Sequence, residues 1–271
     1  LIDRNYDLIW SLDNGIRLMT ITEEFAENLY KSGCRLFSVG VESGNKDVLH
    51  RIKKPLTLPG LYKKMEMLRQ FPELYVKGNF ILGFPFETYA QMDDTFRVAN
   101  EVGFDWAILS IYSPLLGTEA LNYYDSETRD QIEFSEQGYG HGEILPDGYA
   151  TMDDFQNRVY IENLKINFTQ NPNYLGRNPQ RALKDFLRIV NDTSPDHAPA
   201  LYCISQIYES IGEVDKATSY MKQHHDVLAQ SEKWRFYCQQ IGLLSPEQTR
   251  NVNYTPDDFR SGREMEGNRV V

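Results

Sequence analysis

Up to about residue 115, short β-branched and aromatic runs alternate with stretches of helical spacing. Residues 7–12 read as a strand. Residues 22–31 read as a helix, with Thr22 as its cap, Glu23 and Glu24 in the first turn and Gly33 just past its end. A second strand is expected over 35–41, and a helix over 58–71 on the spacing of Leu61, Met65 and Leu68. Residues 75–82 form the third strand, 89–102 a helix stopped by Gly103, and 105–112 the fourth strand, with 113–118 as its exit loop. Strands and helices alternating at this interval predict an α/β fold, a parallel sheet joined by right-handed crossovers.

The pattern then changes. Gly138, Gly140, Gly142, Pro146 and Gly148 break up a polar stretch, so 119–150 reads as a connecting or covering segment. From 151 onward nothing alternates like a strand. Ala182 and Phe186 recur as Ala217 and Met221, 35 positions later (217−182, 221−186). With Tyr208, Gly212 and Ala217 at packing positions and Pro195 ahead of the second unit, residues 151–250 resemble a short tetratricopeptide array. An unrelated helical bundle fits the same pattern. Residues 251–271 read as a polar tail.

Composition narrows the function. The chain has 271 residues, 41% hydrophobic and 13% aromatic, enough for a sizeable core. Its formal net charge of −11 argues against general affinity for nucleic acid or anionic membrane, and no apolar run reaches the roughly 18 residues of a membrane span. The start, Leu1-Ile-Asp-Arg4, has neither an initiator Met nor a signal-peptide pattern, and is expected to lie inside a longer protein. Cys34, Cys203 and Cys238 are widely spaced and form no CxxC or CxxxCxxC group. Three reduced thiols in a cytoplasmic protein are the expectation.

The chemistry concentrates at the strand ends. The run Phe37-Ser-Val-Gly-Val-Glu-Ser-Gly44 ends an apolar strand in a carboxylate, a hydroxyl and a glycine. Parallel sheets hold ligands at that C-terminal rim. Phe80-Ile-Leu-Gly-Phe-Pro-Phe-Glu-Thr88 and Tyr112-Ser-Pro-Leu-Leu-Gly-Thr118 close the next two strands. On residue chemistry alone, Glu42 either binds a polar ligand or favours the start of the next helix.

Taken in order, these three segments resemble the radical S-adenosylmethionine enzymes, over 8–118. The resemblance implies a partial (β/α) barrel lacking its first strands over 1–118. It also implies S-adenosylmethionine and a 4Fe–4S cluster as cofactors, and an electron donor such as flavodoxin or ferredoxin. In this reading Glu42 and Ser43 face the cofactor's ribose and methionyl end, with Gly44 in the tight turn behind them. Lys54, with Arg51 and Lys53 as alternates, faces the methionine carboxylate. Ile81 and Gly83 contact adenine, and Tyr112, with Ser110, completes that wall. Pro85 and Glu87 shape the turn.

Asn14-Gly-Ile-Arg17 is similar to a segment of members that also carry a cobalamin-binding domain, which leaves cobalamin-assisted methylation open; an Asn-Gly turn with a surface Arg accounts for it as well. The chain departs from the family in having no CxxxCxxC and no preceding Gly-Gly-Glu. The cluster ligands are therefore expected upstream, the substrate is unknown, and the fragment alone is expected to be inactive. The alternative is an inactive barrel remnant whose helical region serves as a protein-interaction scaffold. Among the histidines, His197 is expected at a helix start and His224-His225 on the surface; His50 and His141 suggest no general base.

Overall fold

The computed structural model describes residues 2, 8–130, 132–135, 140–141, 145–146 and 148–244. Asp7, Gly138, Gly142 and the expected polar tail lie outside them. Two compact units divide after Asn178.

In the first unit, β1 (Trp10–Ile16), β2 (Cys34–Glu42), β3 (Tyr75–Leu82) and β4 (Trp106–Ile111) form a four-stranded sheet in that spatial order, every pair parallel. The crossovers are α1 (Glu23–Lys31), then α2 (Lys46–Arg51) with α3 (Leu58–Leu68), then α4 (Tyr89–Glu101). Their ends follow local rules. Thr22 caps α1 by accepting from Phe25 N, Thr57 caps α3, and Thr88 with Gln91 forms a reciprocal capping box at α4.

The two faces of the sheet differ. Along β3, Val76, Gly78, Phe80 and Leu82 are buried, whereas Tyr75, Lys77, Asn79 and Ile81 are only partly so. The buried face packs Phe37, Val39, Val41, Val76 and Phe80 against Leu61, Met65 and Leu68 of α3 and Val98 and Ala99 of α4. Each fully buried Phe contributes on the order of 1.5–3 kcal/mol of transfer free energy. Purely parallel sheets are normally apolar on both faces. Here the second face carries Gly40, Asn79 and the charged pair of Glu42 and Lys54.

Past β4 come a 3-10 turn (Glu119–Tyr123), α5 (Ser126–Asp130) and a small antiparallel pair, β5 (Glu133–Phe134) with β6 (Gly140–His141). Next comes α6 (Met152–Leu164), whose Phe155 and Val159 pack with Leu82, Met92 and Phe96. The helix thus completes the α/β core, and the first compact unit runs on to Asn178, later than the expected start of the helical region at 151. Periodicity identifies a helix; which core it joins depends on partners far away in sequence.

The second unit contains α7 (Pro179–Arg188), α8 (Ala198–Ser210), α9 (Val214–Gln230) and α10 (Glu232–Gln240). His197 caps α8, its Nδ1 accepting from Ala200 N, as expected of a helix-start residue. His224 is corrected: it is 1% exposed, with Nδ1 2.9 Å from the Ala198 carbonyl and its ring against Tyr202. No helix of the described residues is long and apolar enough to cross a membrane.

Candidate functional site

Strand β2 ends in a turn that L-residues resist. Glu42 has φ 70°, in the left-handed region, and Lys53 beyond α2 has φ 56°. Such backbone costs on the order of 1–3 kcal/mol and persists where surrounding contacts enforce it. The contacts are visible. Glu42 Oε1 accepts from Lys54 Nζ at 2.8 Å, with both side chains about three-quarters covered (23% and 29% exposed). The pair lies over Gly40, where an added Cβ would fall 2.6 Å from Glu42 Oε1 and 3.0 Å from Lys54 Nζ. A glycine two residues before the strand end therefore makes room for a charged pair on the open face. Glu42 caps no helix: α2 is capped by Asn45, which accepts from Asp47 N and Val48 N.

Ser43 is placed differently from expectation, and Gly44 lies in the strand-to-helix turn as expected. Ser43 is fully buried, its Oγ 3.1 Å from Thr95 Oγ1 and accepting from Asn45 N. The left-handed step at Glu42 reverses the chain, so the hydroxyl points toward α4 and not toward a cofactor. Gly44 donates to Thr95 Oγ1, and a Cβ there would fall 2.5 Å from the Asp94 carbonyl oxygen. Its smallness admits α4. Gly83 has the same logic: at φ 81°, a Cβ would lie 2.8 Å from the Phe155 ring, so the space is taken by core packing and not left for a flat ligand. Single-strand reading misses these contacts, because Thr95 and Phe155 come from elements far along the chain.

Ile81 lies on the partly open face of β3. Tyr112 leaves β4 by donating its N–H to the Leu82 carbonyl, and its half-buried ring packs on Phe84 at 5.1 Å between centroids. Burial raises the Tyr112 pKa, against a hydrogen bond with Thr118. Behind it, burial and the neighbouring Tyr112 both push the Tyr124 phenol up, and its hydroxyl has no partner. Arg51 stacks over Phe86 and Tyr123, 5.1 and 5.8 Å from their centroids, while Lys53 pairs with the exposed Glu119. Lys54 is thus the cation that meets Glu42, and Lys53 and Arg51 serve the outer rim.

Glu87 shapes its turn as expected, its Oε2 accepting from Gly83 N and Phe84 N at 2.8 and 3.2 Å. Burial raises its pKa to about 7, opposed by those two bonds, and Oε1 has no partner. On the open face, Asn79 pairs in register with Gly40, and its buried Oδ1 also lacks a partner. Asn79 was not singled out in the sequence; an amide next to the apolar run Phe80-Ile81-Leu82 was the available signal.

Among the described residues, cluster ligands are not found. Cys34, Cys203 and Cys238 are each buried, and no group of three or more His, Cys, Asp or Glu among the described residues is arranged for a metal. Burial raises the Cys34 and Cys238 thiols, Cys238 to about 12, the reverse of what a metal-ligating thiolate needs.

No family model matches the chain. Among curated proteins it is 32% identical over 114 residues to a tRNA-2-methylthio-N(6)-dimethylallyladenosine synthase of Hahella chejuensis, covering 40% of this chain and 26% of that protein. The synthase of that name from Aliarcobacter butzleri is 35% identical over 111 residues, covering 41% and 25%. An uncharacterized methyltransferase of Pyrococcus horikoshii is 29% identical over 117 residues, covering 43% and 25%. The chain thus spans about a quarter of the length of these relatives. Among solved structures, the radical SAM enzyme coproporphyrinogen III oxidase of Escherichia coli aligns at TM-score 0.42 and 17% identity, covering 57% of this chain and 32% of that one. The radical S-adenosylmethionine methyltransferase TsrM of Kitasatospora setae aligns at TM-score 0.39 and 13% identity, covering 82% and 45%. The resemblance to the radical S-adenosylmethionine superfamily, carried by three strand ends, is thus supported by curated sequence relatives as well.

Proposed function

We propose that this chain is part of a radical S-adenosylmethionine enzyme, and that the open face of its sheet holds the cofactor at the C-terminal rim. The observation that carries this is the Glu42–Lys54 pair over Gly40: two opposite charges, mutually satisfied, with the carboxylate on left-handed backbone at the edge of a polar sheet face. S-adenosylmethionine offers the matching groups, ribose hydroxyls for the carboxylate and a methionine carboxylate for the ammonium. Binding then exchanges one internal ion pair for two contacts to the ligand, which keeps both charges satisfied while the site is loaded. Ile81 and Tyr112 flank the adenine in this reading. In the intact enzyme, S-adenosylmethionine held beside a 4Fe–4S cluster would supply radical chemistry. The residues of this chain do not fit the cluster, whose ligands come from elsewhere in the parent protein.

We favour methyl transfer as the reaction class, with cobalamin as the assisting cofactor suggested by Asn14–Arg17. The net charge of −11 favours a substrate other than nucleic acid. The tetratricopeptide-like helices form a second, interaction-based reading, favoured by a groove of about 500 Å³ between α8 and α9.

Glu42→Gln in the full-length protein tests the main reading. Loss of a charge-assisted contact should weaken S-adenosylmethionine binding by roughly 10- to 100-fold in calorimetric titration, with cluster absorbance unchanged. Unchanged affinity would remove Glu42 from the site.

A further inference from the structure

We infer that the groove between α8 and α9 is the docking site of the chain's own segment after α10, residues 245–271, with Asp257-Asp-Phe-Arg260 at its centre. The inference is independent of the cofactor reading. It gives the interaction reading its first occupant, which any outside partner has to displace.

The groove is open for a geometric reason. α9 has 17 residues and α10 has 9, about 25 and 13 Å long at the helical rise. Only Ser231 separates them, and α10 folds back onto the unit with Trp234 and Cys238 buried. Arg235 fastens it to the last turn of α9, donating to the Leu228 and Ala229 carbonyls. α10 therefore covers the C-terminal half of α9 at most. The first half keeps an apolar strip of Val214, Ala217 and Met221 along the groove. Val214 is 65% exposed, and Ile211 in the turn before it 58%. An open apolar strip with a polar rim marks an interaction site.

The direction of the chain and its charge order name the occupant. Because α10 runs back along α9, its end at Gln240 points toward the uncovered half. Residues 245–256 span up to about 40 Å when extended, more than the whole of α9. Lys222 and His225 edge the groove on the α9 side, and Glu209 on the α8 side. Asp257-Asp-Phe-Arg260 carries acid, aromatic and base in the matching order. Exposed charge pairs add little affinity, so they set the orientation, while Phe259 and Tyr254 supply the apolar contact. Tethering makes the encounter intramolecular, at an effective concentration on the order of millimolar, so modest contacts suffice.

The experiment uses the full-length protein carrying Thr218→Cys, a reporter at an exposed lining position. Cys34, Cys203 and Cys238 are buried and react slowly. Maleimide labelling of the reporter, located by peptide mass spectrometry, is compared in three forms: with the segment intact, without residues 245–271, and with Tyr254→Ser and Phe259→Ser together. The expected result is labelling about 10-fold faster without the segment and at least about 3-fold faster in the double variant. Hydrogen exchange of α8, read on the same samples, should not change. Lys222→Glu should speed labelling by about 2-fold, the scale of one exposed charge pair. Equal labelling rates in the three forms overturn the inference. Faster labelling accompanied by faster exchange throughout α8 also overturns it, because the segment then supports the core of the unit and does not fill the groove. Protection that fades as the protein is diluted assigns the groove to a second copy of the chain, and overturns it as well.

Discussion

The two ends of the sheet are both polar, and they treat their polar groups in opposite ways. At the N-terminal end, Asp105 enters β4 nearly buried, and its carboxylate accepts from Val76 N, Asn173 Nδ2 and Arg177 Nη2 at 2.7–2.9 Å. Arg177 continues the network to Asn173 Oδ1 and the Gly103 carbonyl, and Asn171 holds the Asp105 carbonyl. Asn167 lies alongside, its amide bonding both N–H and C=O of Ala107 as another strand would. At the C-terminal end, Glu42 stands in left-handed backbone, and Asn79, Glu87 and Tyr124 each keep a buried atom without a partner. One end is satisfied and the other is not. In parallel α/β folds the first condition marks stability and the second marks ligand chemistry.

The largest expected effect breaks the satisfied end. Asp105→Ala would remove the carboxylate that Arg177 Nη2 pairs with and leave Asn173 Nδ2 and Val76 N without it, costing about 3–5 kcal/mol in denaturant unfolding. Ligand affinity, measured well below the transition, should not change; a large loss of affinity would dissolve the division between the two ends.

Protonation probes the other end. The Glu87 carboxyl titrates near 7 when folded and near 4.5 in the reference state. Between those values the folded protein holds the extra proton, so its stability falls as pH rises, by up to roughly 1.4 kcal/mol per pH unit. Glu87→Gln should flatten that slope in unfolding experiments from pH 4.5 to 7. A parent protein with no such slope would mean that the bonds from Gly83 N and Phe84 N fully offset burial.

The smallest effect has the opposite sign. Glu42→Gly removes the left-handed penalty and should raise stability by about 1 kcal/mol, within the cost of such backbone. It should also lower S-adenosylmethionine affinity. Stability gained with binding lost would show strain held for function; a destabilised variant would mean that the bond to Lys54 outweighs the strain.

Much of the first unit was legible in the chain itself. Spacing placed all four strands and α1, α3 and α4 to within a few residues, and the Thr22 cap was readable because it acts on a neighbour three positions away. Glu42 was legible at a strand end because a strand's end is a local property; Lys54, Ile81 and Tyr112 were singled out by the resemblance. Glu42 and Lys54 were assigned to separate parts of a ligand, and their meeting became visible only when α2 and the following turn carried the lysine back over Gly40.

Other features had no local signal. Whether α6 covers the sheet or opens the helical unit depends on Phe155 meeting Leu82 and Met92, more than sixty residues upstream. Whether Ser43 faces a ligand or the core depends on Thr95, and whether His224 is wet or dry depends on Ala198 and Tyr202. The sequence by itself determined the elements, their order and the chemistry offered at each strand end, since these follow from periodicity and turn preference. Only the tertiary structure decided which polar groups are satisfied and which are left without a partner, since hydrogen bonds and burial are made between segments that the chain order keeps apart.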